Sequence, residues 1–93
     1  MKARVVLDVA GKHVDQVLDG KNADDVINQA KSLVAKHLGW KGLVIQAMSP
    51  LAFAQKAVSM YNDSNHTKFD LPQSTEEFLR LGKDLGYVTV IEP

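Results

Sequence analysis

The residues best suited to chemistry lie in one polar stretch, DSNHTKFDLPQS, where Asp63, His66 and Asp70 occur close together. Carboxylate and imidazole groups are common ligands of transition metals, and a zinc site needs three or four that converge. The segment 62–73 is therefore one candidate site, for a small metal-dependent or catalytic protein. Calcium is disfavoured, because the stretch lacks the glycine and the bidentate glutamate that a calcium loop requires. The simpler alternative is a solvated strap between two helices, held to the core by its few apolar side chains.

A predicted β-hairpin, RVVLDVAGKHVDQVLD, comes near the start of the chain. A turn at Gly11-Lys12 suits a two-residue type II′ connection and pairs Val9 with Val14. A turn at Ala10-Gly11 would bring Lys12 onto the apolar face, so we expect the first register.

Titratable residues share the outer face of this hairpin. In the expected register Asp8 and Asp15 lie directly opposite each other, with His13 two residues away. Facing carboxylates repel, so either a cation binds between them or a base such as Arg4 neutralises them. Neutralisation by a neighbouring side chain is the simpler interpretation.

The composition indicates one compact domain spanning residues 1–93. The chain is 45% hydrophobic and 24% charged, with eleven basic and eleven acidic residues. Because phosphate contacts require basic excess, nucleic acid is a disfavoured partner, although folding could still assemble a local basic patch. The chain contains no cysteine, and it has no phosphate-binding glycine motif or nucleophile elbow. We therefore expect no cofactor and favour a protein that is not an enzyme.

The N-terminal residues and the apolar runs bear on localisation. Charges interrupt the first apolar run, which disfavours a signal peptide. No apolar run approaches the roughly 20 residues that a membrane span needs. We expect a cytoplasmic protein with no membrane partner.

Hydrophobic spacing and end signals predict the remaining elements. Three helices are expected, in NADDVINQAKSLVAKHLG, SPLAFAQKAVSMYN and STEEFLRLGKDLG, with Asn22, Ser49 and Ser74 as N-caps. GLVIQAM and YVTVI predict short strands. The order β-β-α-β-α-α-β predicts an α+β fold, a two-layer sandwich of about four strands in a mixed sheet with three helices.

A sheet covered by helices on one side would leave apolar residues on the other. We expect that face to carry Val6, Val17, Val44, Met48 and Tyr87. Large open apolar surfaces usually mark association sites, and the commonest closed assembly is a two-fold dimer. The sequence therefore predicts a binding or interaction module that associates with itself, as a homodimer, or with another protein.

A third hypothesis comes from the opening layout. A hairpin followed by NADDVINQAKSLV resembles the opening of HicB-type antitoxins, which implies a toxin–antitoxin-like regulatory module. The third strand that this family places before the helix is missing from the predicted order, so membership is not claimed. DNA binding and its salt dependence would separate this hypothesis from the others.

Overall fold

The computed structural model describes residues 1–9 and 11–93. Within these residues the chain forms a three-stranded antiparallel sheet, with strand order β2-β1-β3, and four α-helices. The strands are β1 (Lys2–Val9), β2 (Lys12–Asp19) and β3 (Val88–Glu92). The helices are α1 (Ala23–His37), α2 (Gly42–Gln46), α3 (Pro50–Asn65) and α4 (Thr75–Asp84), and a short 3₁₀ helix (Gly39–Lys41) leads into α2. The α+β class is as expected.

The predicted mixed sheet of four strands with three helices is wrong. The segment GLVIQAM, expected as a strand, begins with α2, so the order is β-β-α-α-α-α-β and both strand pairings are antiparallel. A short apolar run does not by itself distinguish a strand from a buried helix. Here the more enclosed positions are Gly42, Ile45 and Met48, three residues apart, whereas Leu43 and Val44 are exposed. That spacing is helical.

The hairpin register also differs from the expectation. Val9 pairs with Lys12 and Leu7 with Val14, whereas the expected register pairs Val9 with Val14. The two registers differ by two residues in pairing, so the same side chains face the core in both. Lys12 lies on the apolar side of the hairpin, but it is exposed at the tip, so its ammonium group is not buried. Ala10 and the side chain of Val9 lie outside the described part of the chain.

The core lies between one face of the sheet and the helices, with α1 at its centre. Val26 and Ile27 of α1 are almost completely enclosed, as their helical spacing predicted. They belong to a cluster that joins the sheet to α3 and α4 and whose buried members are Ala3, Val5, Leu18, Ala23, Val26, Ile27, Ala30, Phe53 and Leu79. This packing covers one face of the sheet, and the polar face of the hairpin remains open.

The predicted helix starts are confirmed by their hydrogen bonds. The side chains of Asn22, Ser49 and Ser74 each accept a bond from a backbone N–H in the first turn of α1, α3 and α4 respectively. Gly39 has a φ of 63°, the left-handed conformation that a glycine after a helix end tolerates best.

Within residues 1–9 and 11–93, no helix combines the length and the apolar character needed to cross a membrane.

Candidate interaction surface

The segment that follows α3 is organised by one asparagine. The Oδ1 atom of Asn62 accepts from the backbone N–H of Phe69 at 3.1 Å and from the hydroxyl of Thr67 at 2.8 Å, and its amide donates to the carbonyl of Phe69 at 2.9 Å. His66 ends α3 in the left-handed conformation, with φ 55°. These bonds define an ordered strap between α3 and α4.

The candidate metal ligands of this strap do not form a site. Asp63, His66 and Asp70 are all exposed. Among the described residues, no three side chains of His, Cys, Asp or Glu are arranged so that they could hold a metal ion. The metal-dependent alternative therefore has no geometric support in the described part of the chain.

The titratable residues of the hairpin contact one another in pairs. Because of the register, Asp8 lies opposite His13 and Asp15 lies opposite Val6, so the expected facing carboxylates do not occur. Arg4 donates from Nε to Asp15 Oδ1 at 2.8 Å, and His13 Nδ1 lies 3.1 Å from Asp8 Oδ1. The hydrogen bond from Arg4 holds the pKa of Asp15 below its usual value. These contacts provide partners for both carboxylates without a bound cation.

The residues expected to form an apolar sheet face do not share one surface. Val6 and Val17 occupy the open face of the hairpin, between the paired charges. Val44 lies on α2 and is exposed, whereas Met48 packs partly buried against the core. The ring of Tyr87 contacts that of Tyr61 of α3 edge-on, at 6.1 Å between centroids. The open sheet face is therefore less apolar than the sequence indicated.

A more apolar surface lies on the short helical segment between α1 and α3. Trp40, Leu43 and Val44 are 78%, 74% and 66% exposed. Their spacing of i, i+3 and i+4 places the three side chains on one side of the helical segment. We call these three residues the α2 patch. Large side chains exposed together in this way are typical of association sites.

The opposite side of α2 is fixed to α1 by close packing. A Cβ atom built on Gly42 would lie 2.1 Å from the carbonyl oxygen of Ala35, so only glycine allows the two helices to approach this closely. Ile45 and Met48 pack partly buried against the core. The α2 patch is thus presented on a helix that has little freedom to turn inward.

A buried lysine holds the end of α2. Lys31 of α1 is only 6% exposed, and its Nζ donates to the carbonyl oxygens of Met48 at 2.7 Å and Gln46 at 3.2 Å. An ammonium group at these carbonyls satisfies acceptors that a helix end leaves unpaired. No local pattern indicates this role, because Lys31 is spaced like any other helix lysine until α2 packs against α1.

Charge is distributed unevenly along the chain. The 37 residues from Val26 to Asn62 contain four lysines and no carboxylate, and all eleven acidic residues lie outside this segment with the other seven basic ones. Lys41 directly follows Trp40 and is exposed, and its Nζ lies 5.8 Å from the centre of the Trp40 ring. Lys36 is also exposed, but it lines a depression between α1 and β2. Lys41 therefore gives the apolar α2 patch a basic border.

A second exposed apolar surface lies at the other end of α3. Tyr61 of α3 packs against Phe69 of the strap at 6.0 Å and against Tyr87, which directly precedes β3. Phe69 and Tyr87 are exposed, and Tyr61 is partly exposed. We call these three residues the aromatic cluster. Sequence spacing did not indicate it, because its members come from three separate segments.

Comparison with known proteins gives no relative from which a role could be transferred. No family model matches the chain, and neither the curated proteins nor the solved structures include one that is detectably similar to it. The resemblance to HicB-type antitoxins therefore gains no support. The features that bear on function are the α2 patch and the aromatic cluster.

Proposed function

We propose that this protein is a small interaction module that associates with itself through the α2 patch. The observation that carries the proposal is the exposure of Trp40, Leu43 and Val44 on one side of a helical segment whose other side is packed against α1. Exposed apolar area of this kind is removed from water by association, which is favourable by about 25 cal/mol for each Å² buried.

The chemical character of the patch supports a protein contact. Tryptophan is the residue type most enriched at the energetic centres of interfaces, and a rigid support reduces the entropy lost on binding. Gly42 and Lys31 supply that support on the inner side of α2. Lys41 adds a charged border, which contributes mainly to orientation and to the rate of association.

The proposed contact surface is the α2 patch and not the open face of the sheet. The sequence indicated an apolar sheet face, but the open face carries the Arg4–Asp15 pair and the Asp8–His13 contact around Val6 and Val17. Val44, one of the residues expected to be in the interface, belongs to the α2 patch. Val17 remains the alternative contact and serves as the comparison in the experiment.

Light scattering and sedimentation across a concentration series test the proposal. We expect reversible association of the wild-type protein, and an association about tenfold to a hundredfold weaker for Trp40→Ser, because loss of a central tryptophan removes a large part of the contact energy. Val17→Thr, which keeps the branched shape of the side chain, is the matched variant and should associate like the wild type. A monomer at every concentration, or association lost with Val17→Thr but kept with Trp40→Ser, would contradict the proposal.

A further inference from the structure

We propose that the α2 patch of one copy binds the aromatic cluster of a second copy, so that the contact joins two different surfaces. This inference rests on the proposed self-association and names the surface that receives the patch. Three observations support it: the charges of the two regions, their positions relative to α3, and the character of the other surfaces that could receive the patch.

The two surfaces are drawn largely from chain segments of opposite formal charge. The segment 26–62, which contains the α2 patch and Tyr61, has four lysines and no carboxylate. The segment 63–93, which contributes Phe69 and Tyr87 to the aromatic cluster, has six acidic and three basic residues. Asp63 and Asp70 are exposed and lie beside Tyr61 and Phe69 in sequence, together with Lys68. Opposite charge steers two surfaces together, whereas two α2 patches would bring Lys41 against its own copy.

The positions of the two surfaces require a second molecule. The α2 patch precedes the start of α3 at Pro50, and Tyr61 lies near the end of the same helix. At 1.5 Å per residue, Pro50 and Tyr61 are roughly 16 Å apart along the helix axis. Lys31 and the close contact at Gly42 hold α2 in place, so the patch does not reach the cluster of its own chain.

Other surfaces fit the patch less well. A shallow depression of about 210 Å³ between α4 and the sheet has an apolar floor, but Arg80 and Lys83 line it with only Glu76 to offset them. These cations would repel the basic border of the patch. The open sheet face already pairs Asp15 with Arg4. The aromatic cluster instead offers rings for Trp40, and the exposed Asp70 directly follows Phe69 as a carboxylate for Lys41.

A complementation experiment tests the pairing of two different surfaces. One variant, Trp40→Ser, lacks the patch, and the other, Phe69→Ser with Tyr87→Ser, lacks most of the cluster. We expect each variant alone to associate about tenfold or more weakly than the wild type. An equimolar mixture should recover a one-to-one complex, because one intact patch then meets one intact cluster. Circular dichroism and thermal melting confirm that each variant is folded.

The outcomes separate this inference from the proposed function. If the wild type associates and the cluster variant still associates equally well, the patch binds elsewhere and only this inference fails. The same conclusion follows if both variants are weakened but their mixture does not recover. If the wild type is monomeric throughout, the proposed function fails too.

Charge reversal provides a second pair of variants that leaves the aromatic side chains unchanged. Lys36→Glu with Lys41→Glu should weaken association, and so should Asp63→Lys with Asp70→Lys. The mixture of these two variants should associate at least tenfold more tightly than either variant alone, because the opposed charges are then exchanged rather than removed. A mixture no tighter than either variant alone would overturn the assignment of Asp63 and Asp70 to the contact.

Discussion

The buried Lys31 helps to hold the exposed α2 patch in position. A lysine is rarely enclosed unless its ammonium group is hydrogen-bonded, and here two backbone carbonyls provide the partners. The bonds link α1 to the residues between α2 and α3, and no buried side-chain nitrogen or oxygen among the described residues is left without a partner. The placement of the α2 patch therefore depends on a side chain that is itself buried.

Replacing Lys31 with methionine tests this role. Lys31→Met keeps the length and the apolar stem but removes the donors, so the carbonyls of Gln46 and Met48 lose their bonds. We expect the free energy of unfolding to fall by about 1–3 kcal/mol, measured by urea denaturation. Lys36→Met, an exposed lysine on the same helix, should change it by less than about 0.5 kcal/mol. Equal effects of the two variants would show that Lys31 has no special role.

At the scale of the secondary-structure element, the local sequence pattern and the observed structure disagree most at the short helix α2. GLVIQAM is apolar at nearly every position, which fits a buried strand or a helix equally well. What selects the helix is the fit against α1: Gly42 allows contact with the Ala35 carbonyl, and Ile45 and Met48 then reach the core. Because this fit involves residues far apart in the chain, the local sequence did not decide it.

Substitution of Gly42 tests the close contact between α1 and α2. The added Cβ of Gly42→Ala meets backbone atoms of Ala35, which have little room to move, so we expect a loss of about 1–3 kcal/mol in the free energy of unfolding. Gly82→Ala is the matched control within α4. Its Cβ meets a methyl group of Val88, and the gain of about 1 kcal/mol in helix propensity offsets that crowding. Calorimetry or urea denaturation of both variants measures the difference, and a neutral Gly42→Ala would contradict the packing argument.

At the scale of the whole molecule, a formal net charge of zero conceals two regions of opposite sign. The segment 26–62 is basic and the flanking segments are acidic in sum. In the proposed pairing these charges would favour one relative orientation of two copies over others. A contact between two different surfaces would extend into a chain or close into a ring, depending on the rotation between successive copies.

Ionic strength tests the contribution of these charges to association. Raising the salt concentration from about 0.01 M to about 1 M shortens the screening length from about 30 Å to about 3 Å. We expect wild-type association to weaken by about tenfold over this range, measured by sedimentation, because charges at an interface rim are strongly screened. The Lys36→Gln and Lys41→Gln double variant should associate more weakly at low salt and show a flatter salt dependence. Association that tightens with salt would indicate a contact made by apolar surface alone.

By itself the sequence determined the α+β class, the three capped helices and the hairpin strands. Those features follow from the spacing of apolar residues and from capping side chains within a few positions, which act locally. Tertiary structure decided the hairpin pairing, the helical state of α2, the burial of Lys31 and the grouping of Tyr61, Phe69 and Tyr87. The hairpin pairing is local, but its two candidate registers place the same side chains on the core face, so the apolar pattern does not distinguish them. The other three depend on contacts between separate elements, whose free energy is not encoded in any one local pattern.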